Sequence, residues 1–173
     1  MTRTSQEVRD DQDVQIREAV AADAAAIIHF LRQASQESDA VLIAGLDHLT
    51  VASEADNLAT IQNSSDCEVV IATLAEHVIG VATIMVVGEQ PQQGELGVVV
   101  ERQYWHNGIG SALLDVILDW YQHGSSLQEL VLDVFADNHR AIRLYRHYGF
   151  RELQRGQGKD AHGLMKELIH MSY

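Results

Sequence analysis

The stretch Glu95–Leu114, ELGVVVERQYWHNGIGSALL, carries an apolar strand through a glycine-containing turn straight into an amphipathic helix. A strand that feeds a helix can meet the next strand only by a crossover. The segment from about 95 to 135 therefore implies a parallel pair inside an otherwise mostly antiparallel sheet. Gly108 and Gly110 have no Cβ, so the backbone there can approach a ligand closely. The N–H groups of the first helical turn are unpaired and point outward together. Such a turn is an anion cradle, where a pyrophosphate meets several donors and the positive end of the helix dipole.

Around this transition the chain reads as β-α-α-β-β-β-α-β-α-β-β. Residues 1–12 read as a loose tail and 13–173 as one domain. Val14 and Ile16 open a short strand, and Asp23 stands at the cap or first turn of a helix carrying Ala26, Ile27, Phe30 and Leu31. The segment SQESDAVLIAGLDHLT has no clean period and is either a loop or a short helix. Ser53 is the expected cap of a second helix with Ala55, Leu58 and Ala59 on one side. CEVVIATLAE and HVIGVATIMVVGE form an antiparallel hairpin, with Gly80 marking a bulge or a close approach. Gly88, Pro91 and Gly94 form the next turn, which leads into the strand Glu95–Val100.

The helix Ile109–Gln122 places Ile109, Ala112, Leu113, Val116, Ile117 and Trp120 on one stripe and ends at Gly124. A strand through LQELVLDVFAD alternates Leu130, Leu132 and Val134 against Val131, Asp133 and Phe135. Asn138 or Asp137 then caps a helix with Ala141, Leu144, Tyr145 and Tyr148, stopped by Gly149. Two edge strands, Phe150–Leu153 and Gly163–His170, are joined by the loop QRGQGKDAHG.

Composition narrows the function. Twelve basic against 25 acidic side chains give a net charge of −13, which argues against binding to a nucleic acid backbone. No apolar run approaches the roughly 20 residues needed to span a bilayer, and the polar, acidic start is unlike a signal peptide. The expected location is the cytoplasm. Cys67 is the only cysteine, so neither an internal disulfide nor a zinc-type cysteine pair can form. It lies in an apolar run without a neighbouring base, as a buried inert thiol does. The nine histidines show no metal-binding spacing, and no metal site is expected.

VVVERQYWHNGIGSALL, NHRAIRLY and YGF together, in this order and spacing, resemble the GNAT superfamily of N-acetyltransferases. Its acyl-CoA motif reads roughly V-x(5)-[QR]-x-x-G-x-[GA], followed by N-x-x-A-x-x-x-Y and G-F. Here these are Val100, Gly108, Gly110, Asn138, Ala141, Tyr145, Gly149 and Phe150. Trp105 stands where the family has Gln or Arg, and His106 replaces a frequent glycine. The dinucleotide fingerprint fails because its third glycine would be Leu113, and no Gly-Lys-Ser/Thr triphosphate loop is present.

The resemblance implies a single-domain α/β (α+β) fold: a mixed, mostly antiparallel sheet of about seven strands, about four helices and a splayed parallel pair. It implies acetyl-CoA as cosubstrate. Val98, Val99 and Val100 would pair with the pantetheine arm, and Trp105, His106, Asn107, Gly108, Ile109, Gly110 and Ser111 would hold the pyrophosphate. The Trp105 side chain either flanks the cofactor or packs under the loop, and Asn138 can cap its helix and touch the cofactor as well. Homodimers are common among such proteins.

Acetyl transfer needs a neutral amine, whereas a lysine-like amine with a pKa of about 10.4 is protonated at neutral pH. A base is required, and Glu95 stands where the family often has a glutamate. By the same pattern the Tyr145 hydroxyl lies near the thioester sulfur and assists the departing thiolate, and the N–H of Val98 or Val99 polarises the carbonyl. The expected reaction is direct transfer, in a ternary complex, to an amine of a small molecule or peptide. Glu37, Asp39, Asp47 and Glu54 make a cationic acceptor the expectation. The alternative is a non-catalytic acyl-CoA-binding module, which has no need of Glu95 or Tyr145.

Overall fold

The computed structural model describes residues 13–40, 45–86 and 92–173. The expected tail 1–12 and the turn residues Gly88 and Pro91 lie outside them. Strand β1 (Gln15–Glu18) is followed by a 3₁₀ turn, Ala21–Asp23, that runs into helix α1 (Ala24–Glu37). The Asp23 side chain makes no cap bond to α1. It accepts instead from the Val20 N–H at 2.8 Å and from both ends of the Arg17 guanidinium, tying the strand to the helix entry.

Helix α2 (Val51–Ile61) begins three residues earlier than expected because Thr50, not Ser53, is its cap. The Ser53 N–H donates to the Thr50 hydroxyl and the Thr50 N–H to the Ser53 hydroxyl, each at 3.1 Å. Ser53 is thus the third residue of a reciprocal capping box.

Strands β2 (Glu68–Leu74) and β3 (His77–Val86) form the expected hairpin, turned by Ala75 and Glu76 with φ of +48° and +67°. Gly80 is a close approach beside a register shift: a Cβ there would stand 3.0 Å from Leu113 Cδ1. Strand β4 (Gln93–Val100), helix α3 (Ile109–His123), strand β5 (Glu129–Phe135), helix α4 (His139–His147), and strands β6 (Arg151–Lys159) and β7 (Met165–Ser172) complete the described chain.

The buried stripe of α3 differs from the expected one. Leu114 and Leu118 are buried beside Ile109, Leu113 and Ile117, while Val116 is exposed. Burial follows the neighbours: α4 lies along that flank, with Gly110 against Leu144 and the Tyr148 hydroxyl against Ser111 and Asp115. Strand β6 also runs far past Leu153, through most of the stretch expected to be a loop. Eight registered pairs with β7 hold it, and only residues 160–164 remain as the turn. Gly156 and Gly158 carry no side chain that could show the strand's alternation in the sequence.

All seven strands form one sheet in the order β1-β2-β3-β4-β5-β7-β6. Every pairing is antiparallel except β4 with β5, whose register ends after three pairs at Glu95↔Val131. One face packs on α3 and α4 through residues such as Leu96, Leu130 and Leu132. The other packs on α1 and α2 through Val69, Ile71 and Val81. Beyond Glu95, β4 continues along β3 while β5 continues along β7, so the two parallel strands part.

Candidate functional site

The parting strands open a cavity of about 400 Å³ lined by Glu95, Val98 to Val100, Asn138 and Tyr145. Past Glu95 the β5-facing edge of β4 has no ladder partner, so the N–H and C=O of Val98 and the N–H of Val100, which face away from β3, are free to bind an extended ligand.

At the end of β4 the chain passes through a 3₁₀ turn, Arg102–Tyr104, into the glycine-containing loop. His106 and Gly108 both take left-handed backbone, with φ of +66° and +78°. His106 therefore adopts the conformation that a glycine would take there, at the steric cost of a Cβ. The N–H groups from His106 to Ser111 have no acceptor among the described residues, and the first to find one is Ala112, bonded to Gly108 O at 3.0 Å. Six donors thus surround the N-terminus of a 15-residue helix, a preformed anion cradle. The two glycines serve different ends. A Cβ on Gly108 would meet nothing within 4 Å, so the left-handed φ is what calls for glycine, whereas a Cβ on Gly110 would stand 3.2 Å from Leu144 of α4.

Trp105 works beneath this loop. Its indole N–H donates to Val100 O at 2.8 Å, and the Arg140 guanidinium lies 3.8 Å from its ring centroid. The ring thereby ties the end of β4 to the first turn of α4. Asn138, rather than Asp137, caps α4: its Oδ1 accepts from the Ala141 N–H at 3.2 Å. Asn138→Ala is expected to lower unfolding free energy by about 1 kcal/mol in urea titrations, the ordinary cost of losing such a cap.

Tyr145 is buried, edge-on to Phe150 with ring centroids 5.8 Å apart, and its hydroxyl has no hydrogen bond among the described residues. Burial pushes the phenol pKa up to about 12, with Arg140 pulling weakly the other way. Glu95 is half-buried on the wall of the same cavity. Desolvation raises its proton affinity above the usual carboxylate range, the Asp133 charge adds to the rise, and His170 opposes it. One cavity therefore joins a carboxyl disposed to hold a proton, a neutral phenol and an unpaired strand edge.

Asp133, Arg140 and His170 were not among the expected site residues. The alternation of β5 already placed Asp133 away from the core stripe, but only strand pairing sets His170 opposite it. Cys67 does not line the cavity. Nor do Asp39, Asp47 or Glu54, of which Asp39 pairs with His162 at 2.7 Å and Glu54 accepts from Asn57; Glu37 accepts from the Arg102 N–H and lines an adjoining pocket with Val98 to Val100, Asn138 and Arg140. Among the described residues no helix is long and apolar enough to cross a membrane, and no group of three or more His, Cys, Asp or Glu is placed to hold a metal ion.

The model of the acetyltransferase (GNAT) family matches residues 35–150. Over 92 residues the chain is 30% identical to the L-amino acid N-acetyltransferase AaaT of Escherichia coli K12, covering 51% of this chain and 55% of that protein. The match thus spans about half the length of that relative. Among solved structures it is similar to a GNAT-family acetyltransferase from Streptococcus pneumoniae, with a TM-score of 0.86 and 28% identity over 93% of this chain and 99% of that one. It also shares its fold with a phosphinothricin acetyltransferase from Sinorhizobium meliloti in complex with acetyl-CoA, with a TM-score of 0.76 and 21% identity over 92% and 87% of the two chains.

Proposed function

The chain belongs to the acetyltransferase (GNAT) family, and from that premise we propose that it transfers acetyl from acetyl-CoA directly to a primary amine of a small molecule or peptide. The observation that carries this reading is the single cavity that joins Glu95 and Tyr145 to the free edge of β4, with the cradle at the start of α3. Acetyl-CoA supplies an acetyl group on a thioester.

The residues present fit that cosubstrate. Unpaired N–H groups from His106 to Ser111 suit its diphosphate, and the free groups of Val98 and Val100 suit the two amides of its pantetheine arm. Trp105 positions Val100, and Asn138 holds the first turn of α4 on the opposite wall. Glu95 takes the proton of the acceptor amine, a role that its raised proton affinity favours. The free N–H of Val98, rather than that of Val99, which faces β3, polarises the thioester carbonyl, and the Tyr145 hydroxyl donates toward the sulfur as charge gathers there.

The acceptor is an amine that enters as its ammonium, drawn toward an acidic protein and toward Glu95 and Asp133 on the cavity wall. Free amino acids are the first candidates, because the relative from Escherichia coli is named for them. Release of free thiol with a panel of amino acids, polyamines, aminoglycosides and N-terminal peptides tests this. Turnover with at least one amine is expected, together with heat of binding for acetyl-CoA by calorimetry. Binding without turnover would point to an acyl-CoA-binding module, and no heat at all would overturn the assignment.

A further inference from the structure

Three ionisable side chains lie on one face of the sheet, on three successive strands. Glu95 on β4 is registered with Val131 on β5, Asp133 lies two residues further along β5, and His170 on β7 is the direct partner of Asp133. Period-two alternation puts all three on the face away from α3, since Leu96, Leu130 and Leu132 point into the α3 core. The His170 Nδ1 is 2.7 Å from Asp133 Oδ1, and its Nε2 makes no hydrogen bond among the described residues.

Their access to water differs. Glu95 is half-buried in the cavity wall, and Asp133 lines the same cavity. Asp133 and His170 keep 44% and 29% of their side-chain surface in solvent, and His170 lies outside the cavity lining. Both members of the Asp133–His170 pair therefore reach solvent beside the cavity, Asp133 the more openly.

The chemistry calls for such a path. Converting an ammonium acceptor and a thioester into an amide and a thiol forms one N–C bond and breaks one C–S bond. Two protons leave the nitrogen: one ends on the thiol sulfur and the other in solvent. A half-buried carboxyl that accepts the second must be emptied before the next turnover.

Resting on the acetyl-transfer reading above, we propose that the Asp133–His170 pair is the outlet that carries this proton from Glu95 to solvent. Asp133 receives it through water, and the imidazole passes it on. Imidazole is the side chain best suited to proton exchange with water near neutral pH. The other charged groups on this face are engaged or stand further along: Lys166 with Asp137 and Asp160, Glu129 with Gln93, and Arg151 opposite Ser172. The β6 partner of His170 is the uncharged Gln154.

His170→Ala, assayed at low buffer concentration with an amine that the wild-type protein acetylates, is expected to lose about tenfold or more in kcat with the KM for acetyl-CoA unchanged. Added imidazole is expected to restore most of the loss, a rescue that a merely structural role would not give. His170→Gln can still donate to Asp133 but cannot exchange protons near neutral pH, so it is expected to show the same loss and serves if the alanine variant does not fold. Wild-type kcat in His170→Gln at low buffer, or a loss in His170→Ala that imidazole leaves untouched, overturns the outlet. Absence of thiol release from the wild type with every amine overturns the acetyl-transfer reading itself, and the outlet with it.

Discussion

Glu95→Gln is expected to lower kcat by about 10²- to 10⁴-fold, the ordinary worth of a positioned base, with acetyl-CoA affinity nearly unchanged. The substitution keeps the size of the side chain and one acceptor oxygen but removes the site that takes the amine proton. In the wild type the base acts as the carboxylate, so kcat should rise with pH through the Glu95 pKa. Burial first, and the Asp133 charge second, hold that pKa above its ordinary value, so the acidic limb should lie above the usual glutamate range of about 4.3.

The effect on stability has the opposite sense. A carboxyl whose proton is bound more tightly in the folded than in the unfolded chain favours the fold while protonated, and that contribution is lost as pH rises through the folded-state value. Glu95→Gln should therefore be no less stable than the wild type at neutral pH despite its loss of turnover. Stopped-assay kcat from pH 5 to 9, read beside urea unfolding at pH 7, checks both. Near-wild-type turnover in the variant would remove Glu95 from the mechanism.

Tyr145→Phe is expected to lower kcat by about ten- to a thousandfold with a modest loss of acetyl-CoA affinity. The phenol is buried and unpaired, with a pKa pushed up to about 12, so it is neutral throughout the working range and always has a hydrogen to offer. A free thiol ionises near 8.5, so complete transfer of the phenolic proton to a departing thiolate runs uphill by about 5 kcal/mol. On the proposed mechanism Tyr145 acts chiefly by donating a hydrogen bond to the sulfur while its charge develops. A bond of this charged kind is worth about 1.5–3 kcal/mol, within the expected range of rate loss. Removing the hydroxyl leaves the ring in place against Phe150, so the fold should hold. Single-turnover rates, which exclude product release, are the measurement to make, and unchanged rates would reduce Tyr145 to a packing residue.

The elements that were legible in the sequence are those whose signal is local. Thr83 and Ala82 belong to a hairpin arm recognisable from its β-branched run, and Asn138 and Gly149 bracket α4 as a cap and a left-handed stop. The errors came where a neighbour decides. Val116 fits the helical period of α3 but is exposed, because Leu114 and Leu118 meet the flank where α4 lies. The glycines of β6 read as a loop because a ladder to β7 leaves no trace in side-chain alternation. Of the acidic residues between 37 and 54, only Glu37 comes to the free edge of β4, in a pocket that adjoins the cavity, whereas Asp133, on a distant strand, lines the cavity itself.

From residue order alone came the crossover, the glycine turn at Gly108 to Ser111 and the proposal of Glu95 and Tyr145 as site residues, because turns, caps and helix starts depend on a few consecutive side chains. Only the folded sheet decided how far β4 and β5 stay paired, that Glu95 and Tyr145 share one cavity, and that His170 stands across from Asp133. Those facts rest on strand register between segments tens of residues apart, and register is set by the packing of whole faces rather than by any local run of sequence.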